Sequence, residues 1–145
     1  MKPLIFFVAL LIATTTYSTP FRVDEKIEKR FRDAFPKAED VHWYENKTDY
    51  EVVFYHQNIL CRIRYALDGE VESATRYYKE EGLPLFVTAR IKRKFDGMKI
   101  YGVTEITTTS DLRYYIILET ENKWILVDAD AFGNSMITKK FNKNR

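Results

Sequence analysis

The sequence predicts an α+β chain of two tandem helix-plus-antiparallel-meander repeats, α-β-β-β-β twice, forming a sheet with both helices on one face. Three observations predict it. Two segments carry apolar residues every fourth position, and they lie 60 residues apart. Two longer segments alternate apolar and polar residues, and their apolar positions match at a displacement of 64. Gly69 and Gly133 close both segments at that same displacement.

The first element is "VDEKIEKRFRDAFP". Val23, Ile27, Phe31 and Phe35 fall on one side of a 3.6-residue helix, and Pro36 stops it. The second helix repeats the spacing in "LPLFVTARIKRKFDG", through Leu83, Val87, Ile91 and Phe95, with Pro84 in the first turn and Gly97 at the stop. Each helix is followed by a first strand, near Val41 or Val103, and then by a hairpin. Tyr50, Val52 and Phe54 alternate, then Ile59, Cys61 and Ile63. Their counterparts are Tyr114, Ile116 and Leu118, then Ile125 and Val127. His56-Gln57-Asn58 and Glu121-Asn122-Lys123 read as the first turns, Asp68-Gly69 and Phe132-Gly133 as the second. A unit of about 60 residues buries too little surface to be robust alone, so the two are expected to share one sheet. The expected organisation is residues 1–19 as a signal peptide, 20–80 as the first repeat and 81–145 as the second.

The signal-peptide expectation rests on "MKPLIFFVALLIATTTYSTPF": Lys2, the unbroken apolar run Leu4–Ala13, then small and hydroxyl residues. The run falls short of the roughly 20 residues that span a bilayer. Cleavage after Ser18 or Thr19 releases a chain without a stable membrane span, destined for the periplasm or the medium.

Composition narrows the function. Hydrophobic residues make up 46% of the 145 and aromatics 15%, enough for a packed core. The net charge of +2 becomes +1 once Lys2, the only charged side chain in residues 1–19, is removed. The charges are interspersed, which speaks against a nucleic-acid partner. The single cysteine, Cys61, has no intrachain disulfide partner, and its alternation with Ile59 and Ile63 reads as core.

Metal and catalysis find little support. Asp128, Asp130 and Gly133 suggest the start of a calcium loop, but its fifth position is Phe132 and its twelfth Lys139, neither of them a ligand. One cysteine with His42 and His56 on separate elements does not make a zinc site. Ser73, Ser110 and Ser135 lack any nucleophile signature, and five scattered glycines form no phosphate loop. No cofactor, metal site or catalytic residue is expected. The lysine-rich end "TKKFNKNR" reads as a solvated, frayed terminus, and "RYYKEEG" as a link.

"YYIILETENKWILVDADAFGNSM" resembles the hairpin of PepSY domains, a strand, a turn, then an aromatic-led strand ending in Val-Asp-Ala before Gly. The succession Phe35, Pro36, Ala38, Val41, Trp43, Tyr50, Val52 and Phe54 resembles exported bacterial PepSY-like proteins, also described as similar to β-lactamase-inhibitor proteins. The resemblance covers residues 24–141. It implies export, a tandem helix-plus-four-strand fold and no catalysis, with an inhibitory or regulatory role toward secreted peptidases. No inhibitory loop matches residue by residue, so it implies no contact residue.

A candidate site comes from parity. If Ile59, Cys61, Ile63, Ile125 and Val127 point to the core, their neighbours face outward. Those include Val53, Tyr55, Arg62 and Arg64, and then Tyr115, Ile117, Trp124, Leu126 and Asp128. Tyr, Trp and Arg are the residue types enriched where proteins bind proteins. Tyr55, Arg62, Arg64, Tyr115 and Trp124 are therefore the candidate partner-binding residues. The expected function is an exported, non-catalytic module that binds a protein in the envelope or outside the cell. The alternative is a small-ligand binder or sensor with a pocket between sheet and helices.

Overall fold

Asp24 starts the first helix by accepting the Lys26 N–H on its carboxylate at 2.8 Å, which satisfies one of the free donors of the first turn. A computed structural model describes residues 23–143. The expected signal peptide of residues 1–19 lies outside the described residues.

Helix α1, Glu25–Ala34, buries Ile27 and Phe31 and ends at Phe35, ahead of Pro36. Strands β1 (Glu39–Glu45), β2 (Asp49–His56), β3 (Ile59–Ala66) and β4 (Val71–Tyr78) follow. A 3₁₀ turn, Glu80–Gly82, leads to helix α2, Leu85–Lys94, which buries Val87 and Ile91. The chain then runs through β5 (Lys99–Thr108), β6 (Leu112–Glu119), β7 (Lys123–Asp130) and β8 (Ser135–Asn142). The strands lie in sequence order in one eight-stranded antiparallel sheet. Among the described residues, no helix is long and apolar enough to cross a membrane.

These findings correct the expected fold class. Eight strands of 7 to 10 residues outweigh two ten-residue helices, so the protein is mostly β rather than α+β. The sheet is not divided into two helix-plus-meander repeats: β4 and β5 pair continuously from Ser73↔Thr108 to Tyr78↔Val103. Positions matched by spacing also differ physically. Val41 sits beside an irregularity in β1 and is 39% exposed, whereas Val103 is 4% exposed. The β2–β3 hairpin turns on two residues, Gln57 and Asn58, both with positive φ. The β6–β7 hairpin uses a longer loop between Glu119 and Trp124. Within the terminal stretch read as frayed, Thr138–Asn142 belong instead to β8, which pairs with β7.

The core lies on one face of the sheet, which both helices cover. Around α1 it gathers Val23, Ile27, Phe31, Val52, Phe54, Cys61, Ile63 and Tyr65. Phe31 meets Phe54 and Trp43 edge to face, with centroids 4.9 and 5.4 Å apart. Around α2 it gathers Val87, Ile91, Phe95, Val103, Ile116, Leu118, Ile125 and Val127 among others. Gly133 lets the β7–β8 turn meet α2 closely. Its φ is +77°, and a Cβ there would stand 3.3 Å from Arg90 Cβ and Val87 Cα.

Candidate functional site

Alternation along each strand turns every second side chain away from the helices, and the cross-strand register sets these into rows. One row runs Tyr55, Leu60, Tyr77, Thr104, Tyr115, Asp128 and Met136 across β2 to β8. Its three tyrosines stand on alternate strands, about 10 Å apart from one to the next. A neighbouring row runs Gly102, Ile117, Leu126 and Lys139, and beyond it Glu119, Trp124 and Phe141. On the other side lies Val53, Arg62, Thr75, Ile106 and Arg113.

The five residues singled out by parity all stand on this outer face, in two different settings. Arg62 and Arg64 are exposed and approach carboxylates, Glu51 at 3.5 Å and Asp49 at 3.7 Å. The Asp49 carboxyl is held below its usual range, first by the Asn46 side-chain amide, then by Thr48 and Arg64. Tyr55 is exposed and Tyr115 half-buried, both in the tyrosine row. Trp124 is half-buried. Tyr101 stands edge-on to it at 4.7 Å, and Lys143 Nζ lies 4.5 Å from its ring centre.

Three residues of this surface were missed by the sequence reading. Tyr77, in the stretch that reads as a link, belongs to β4 and to the tyrosine row. Tyr101 falls where β5 slips register between Ile100 and Gly102, and a bulge leaves no alternation to read. Phe141, in the lysine-rich end, belongs to β8 and pairs with Trp124. Together Tyr101, Ile117, Trp124, Leu126 and Phe141 line an apolar notch of about 280 Å³. A larger cleft of about 640 Å³ adjoins it through Tyr101 and Ile117, and extends past Tyr77, Tyr78 and Lys79 to the 3₁₀ turn. The notch lies on the face opposite the core, and the cleft continues from it around the strand ends, where Tyr78, Val103 and the 3₁₀ turn also line it.

The carboxylates that raised the metal question are engaged in the fold. Asp128 accepts from Arg113 Nη2 at 2.6 Å and Nε at 3.0 Å. Asp130 Oδ1 accepts the Phe132 and Asn134 N–H groups at 2.9 Å, and Oδ2 accepts from the Asn134 amide at 2.8 Å. Those bonds, the Asn134 side chain foremost, hold the Asp130 carboxyl below its usual range. Cys61 is buried; burial pushes its thiol up, with Arg76 opposing, which disfavours the thiolate. His42 contacts Asp40 in β1, while His56 packs against Phe35.

On the helix side, the paired strands β4 and β5 carry a polar cluster. Tyr78 donates to Glu105 Oε2 at 2.5 Å, and Arg76 Nη1 donates to Glu105 Oε1 at 3.3 Å. Burial, and then this bond, pushes the Tyr78 phenol far above the ordinary tyrosine range. The cluster joins two strands by filling their polar valences, which is a structural task.

No family model and no curated protein matches the chain. Solved structures do. A BLIP-like protein from Bacteroides fragilis superposes with a TM-score of 0.64 over 86% of this chain and 89% of its own, at 9% identity. The chain has a BLIP-like fold. A DUF2874 family protein from Bacteroides ovatus superposes at a TM-score of 0.64 and 14% identity, over 84% of this chain and 89% of its own. A Bacteroides eggerthii protein provisionally described as periplasmic superposes at 0.63 and 13% identity, over 84% and 90%. At these identities the likeness is one of fold.

Proposed function

We propose that the chain is an exported, non-catalytic protein-binding module that engages its partner through the outer face of the sheet. The single observation that carries this reading is the contiguous surface of Tyr77, Tyr101, Ile117, Trp124, Leu126 and Phe141 on the face opposite the core. It combines aromatic side chains with flanking cations, the composition of interface hot spots. The candidate contacts are Tyr55, Arg62, Arg64, Tyr115 and Trp124, joined by Tyr77, Tyr101 and Phe141. The BLIP-like fold of a structural neighbour supports a binding role. The leader-like start of the sequence supports export, as does the neighbour provisionally described as periplasmic. We place the protein in the periplasm or outside the cell, with the PepSY-like proteins, as a regulator or inhibitor of an envelope or secreted enzyme such as a peptidase. Affinity capture from envelope extract, compared between the wild-type protein and outer-face variants, tests this reading.

A second reading has one observation in its favour. The 640 Å³ cleft beside the 3₁₀ turn is of a size that holds small ligands, and Tyr77, Tyr78, Tyr101 and Ile117 give it apolar walls. A sensor using this cleft would show a thermal shift with a small molecule and no protein partner. The cleft opens at the ends of β4 and β5 rather than between sheet and helices.

A further inference from the structure

Away from the outer face, helix α2 and the β7–β8 turn carry the three most exposed large hydrophobic side chains among the described residues. Leu85 is 88% exposed, Phe132 68% and Phe86 62%. Single exposed apolar residues are ordinary on soluble proteins. Phe86 and Phe132, however, are joined by one residue: the Arg90 guanidinium lies 5.2 Å from the Phe86 ring centre and donates to the Phe132 carbonyl at 2.9 Å. Leu85 adjoins Phe86 in the first turn of the helix.

The charges on helix α2 are all positive, while Asp130 stands in the facing turn and Glu81 precedes Leu85. Helix α2, "LFVTARIKRK", contains Arg90, Lys92, Arg93 and Lys94 and no acidic residue, so none of its cations is paired within the helix. Lys92 is neutralised by Glu80 of the 3₁₀ turn. Arg90 and Lys94 direct hydrogen bonds to carbonyl oxygens, and neither forms an ion pair among the described residues. Arg90, Arg93 and Lys94 line one cleft with Gly133, Asn134 and Ser135. Helix α1 is built differently: it carries Glu25, Glu28 and Asp33, and pairs Lys29 with Asp33 and Arg32 with Glu28. Cations in a last turn also suit the helix dipole. That accounts for Arg93 and Lys94 but not for apolar side chains projecting at the opposite end and at the facing hairpin.

We propose that this surface rests on a membrane bearing anionic headgroups. Leu85, Phe86 and Phe132 enter the headgroup–acyl boundary, while Arg90, Arg93 and Lys94 meet the phosphates. Convex apolar tips beside a cationic patch are the pattern of interfacial membrane binding, in which each cation adds attraction and salt weakens it. A protein partner would instead need a concave match to each tip.

The test uses the full chain carrying Phe132→Trp, with the parent chain as background for Trp43 and Trp124. Vesicles are phosphatidylcholine alone, or phosphatidylcholine and phosphatidylglycerol in equal parts. The expected result is a blue shift and quenching by brominated acyl chains on the phosphatidylglycerol vesicles, with little change on phosphatidylcholine. Added Arg93→Glu and Lys94→Glu, both at exposed positions, should abolish the shift while circular dichroism shows the fold retained, with the thermal midpoint lowered because acids replace cations in the last helical turn. Because the reporter sits at residue 132, attachment through the apolar segment near the N-terminus does not mimic the signal. Equal shifts on both vesicle types would overturn the proposal, as would persistence after charge reversal. So would a signal fully reproduced by inorganic phosphate, which would assign the patch to a free anion. Leu85→Ser, at the most exposed tip, is a second variant and should weaken the shift with no loss of fold.

Discussion

The ring of Tyr101 stands edge-on to that of Trp124, with centroids 4.7 Å apart. Tyr101 occupies the bulge of β5 and Trp124 the start of β7, so the contact crosses over β6. An edge-to-face pair of this kind contributes about 1 kcal/mol. Tyr101→Ala should lower stability by about that amount and move tryptophan emission to the red, as water reaches Trp124. Unchanged emission would mean that the ring is shielded by Phe141 and Lys143 instead.

Tyr78 is 9% exposed and donates to a carboxylate across the β4–β5 pair. A hydrogen bond to a charged acceptor contributes about 1.5–3 kcal/mol. Tyr78→Phe keeps the ring and removes the donor, so chemical denaturation should register a loss near the lower end, because Arg76 still serves Glu105. A neutral outcome would show that Glu105 is satisfied without the phenol.

Gly133→Ala places a Cβ where φ is +77° and atoms of Arg90 and Val87 lie 3.3 Å away. Left-handed backbone costs a non-glycine residue roughly 1–2 kcal/mol before any steric term. The variant should lose at least that much in a denaturation midpoint, and hydrogen exchange should increase in the β7–β8 turn.

Stability should fall at both ends of the pH scale. Asp130, Asp49 and Glu119 have lowered folded pKa values, set foremost by Asn134, Asn46 and Lys143 respectively. Their contribution is present above the ordinary carboxylate range, about pH 4, and is lost as pH falls through the folded values. Tyr78, Tyr65 and Tyr114 are raised foremost by burial. Their contribution is present below about pH 10, the ordinary tyrosine value, and is lost as pH rises through the folded values. Thermal midpoints across pH should therefore show a plateau between these limits. A midpoint that rises above pH 10 would contradict the burial of Tyr78.

Much of the core was legible because periodicity reports burial directly. Ile27 and Phe31, then Val87 and Ile91, line the buried helix faces as their spacing implies, and Cys61, Ile63, Ile125 and Val127 are buried by alternation. Spacing overreached where it inferred duplication. Val41 and Val103 match in the sequence, but an irregularity in β1 exposes the first while the central sheet buries the second. Continuity of the sheet through Ser73↔Thr108 depends on long-range pairing that no local pattern encodes. The candidate surface was half legible for the same reason. Trp124 follows from alternation, Tyr101 is set by a bulge, and the lysine-rich stretch around Phe141 is ordered only by pairing with β7.

Protein binding by the outer face can be decided in a single comparison. The protein and its Trp124→Ala, Arg64→Ala double variant are each used to capture proteins from the envelope extract of the native organism, and thermal midpoints are recorded in parallel. Arg64 is exposed and approaches Asp49 at 3.7 Å, and Trp124 is half-buried, so the fold should survive. Hot-spot truncations typically cost binding about 2 kcal/mol or more each, enough to clear a retained partner from the eluate. The expected result is a partner held by the wild-type protein and absent from the folded variant. The same partner captured equally by both, or a variant that unfolds, would contradict it.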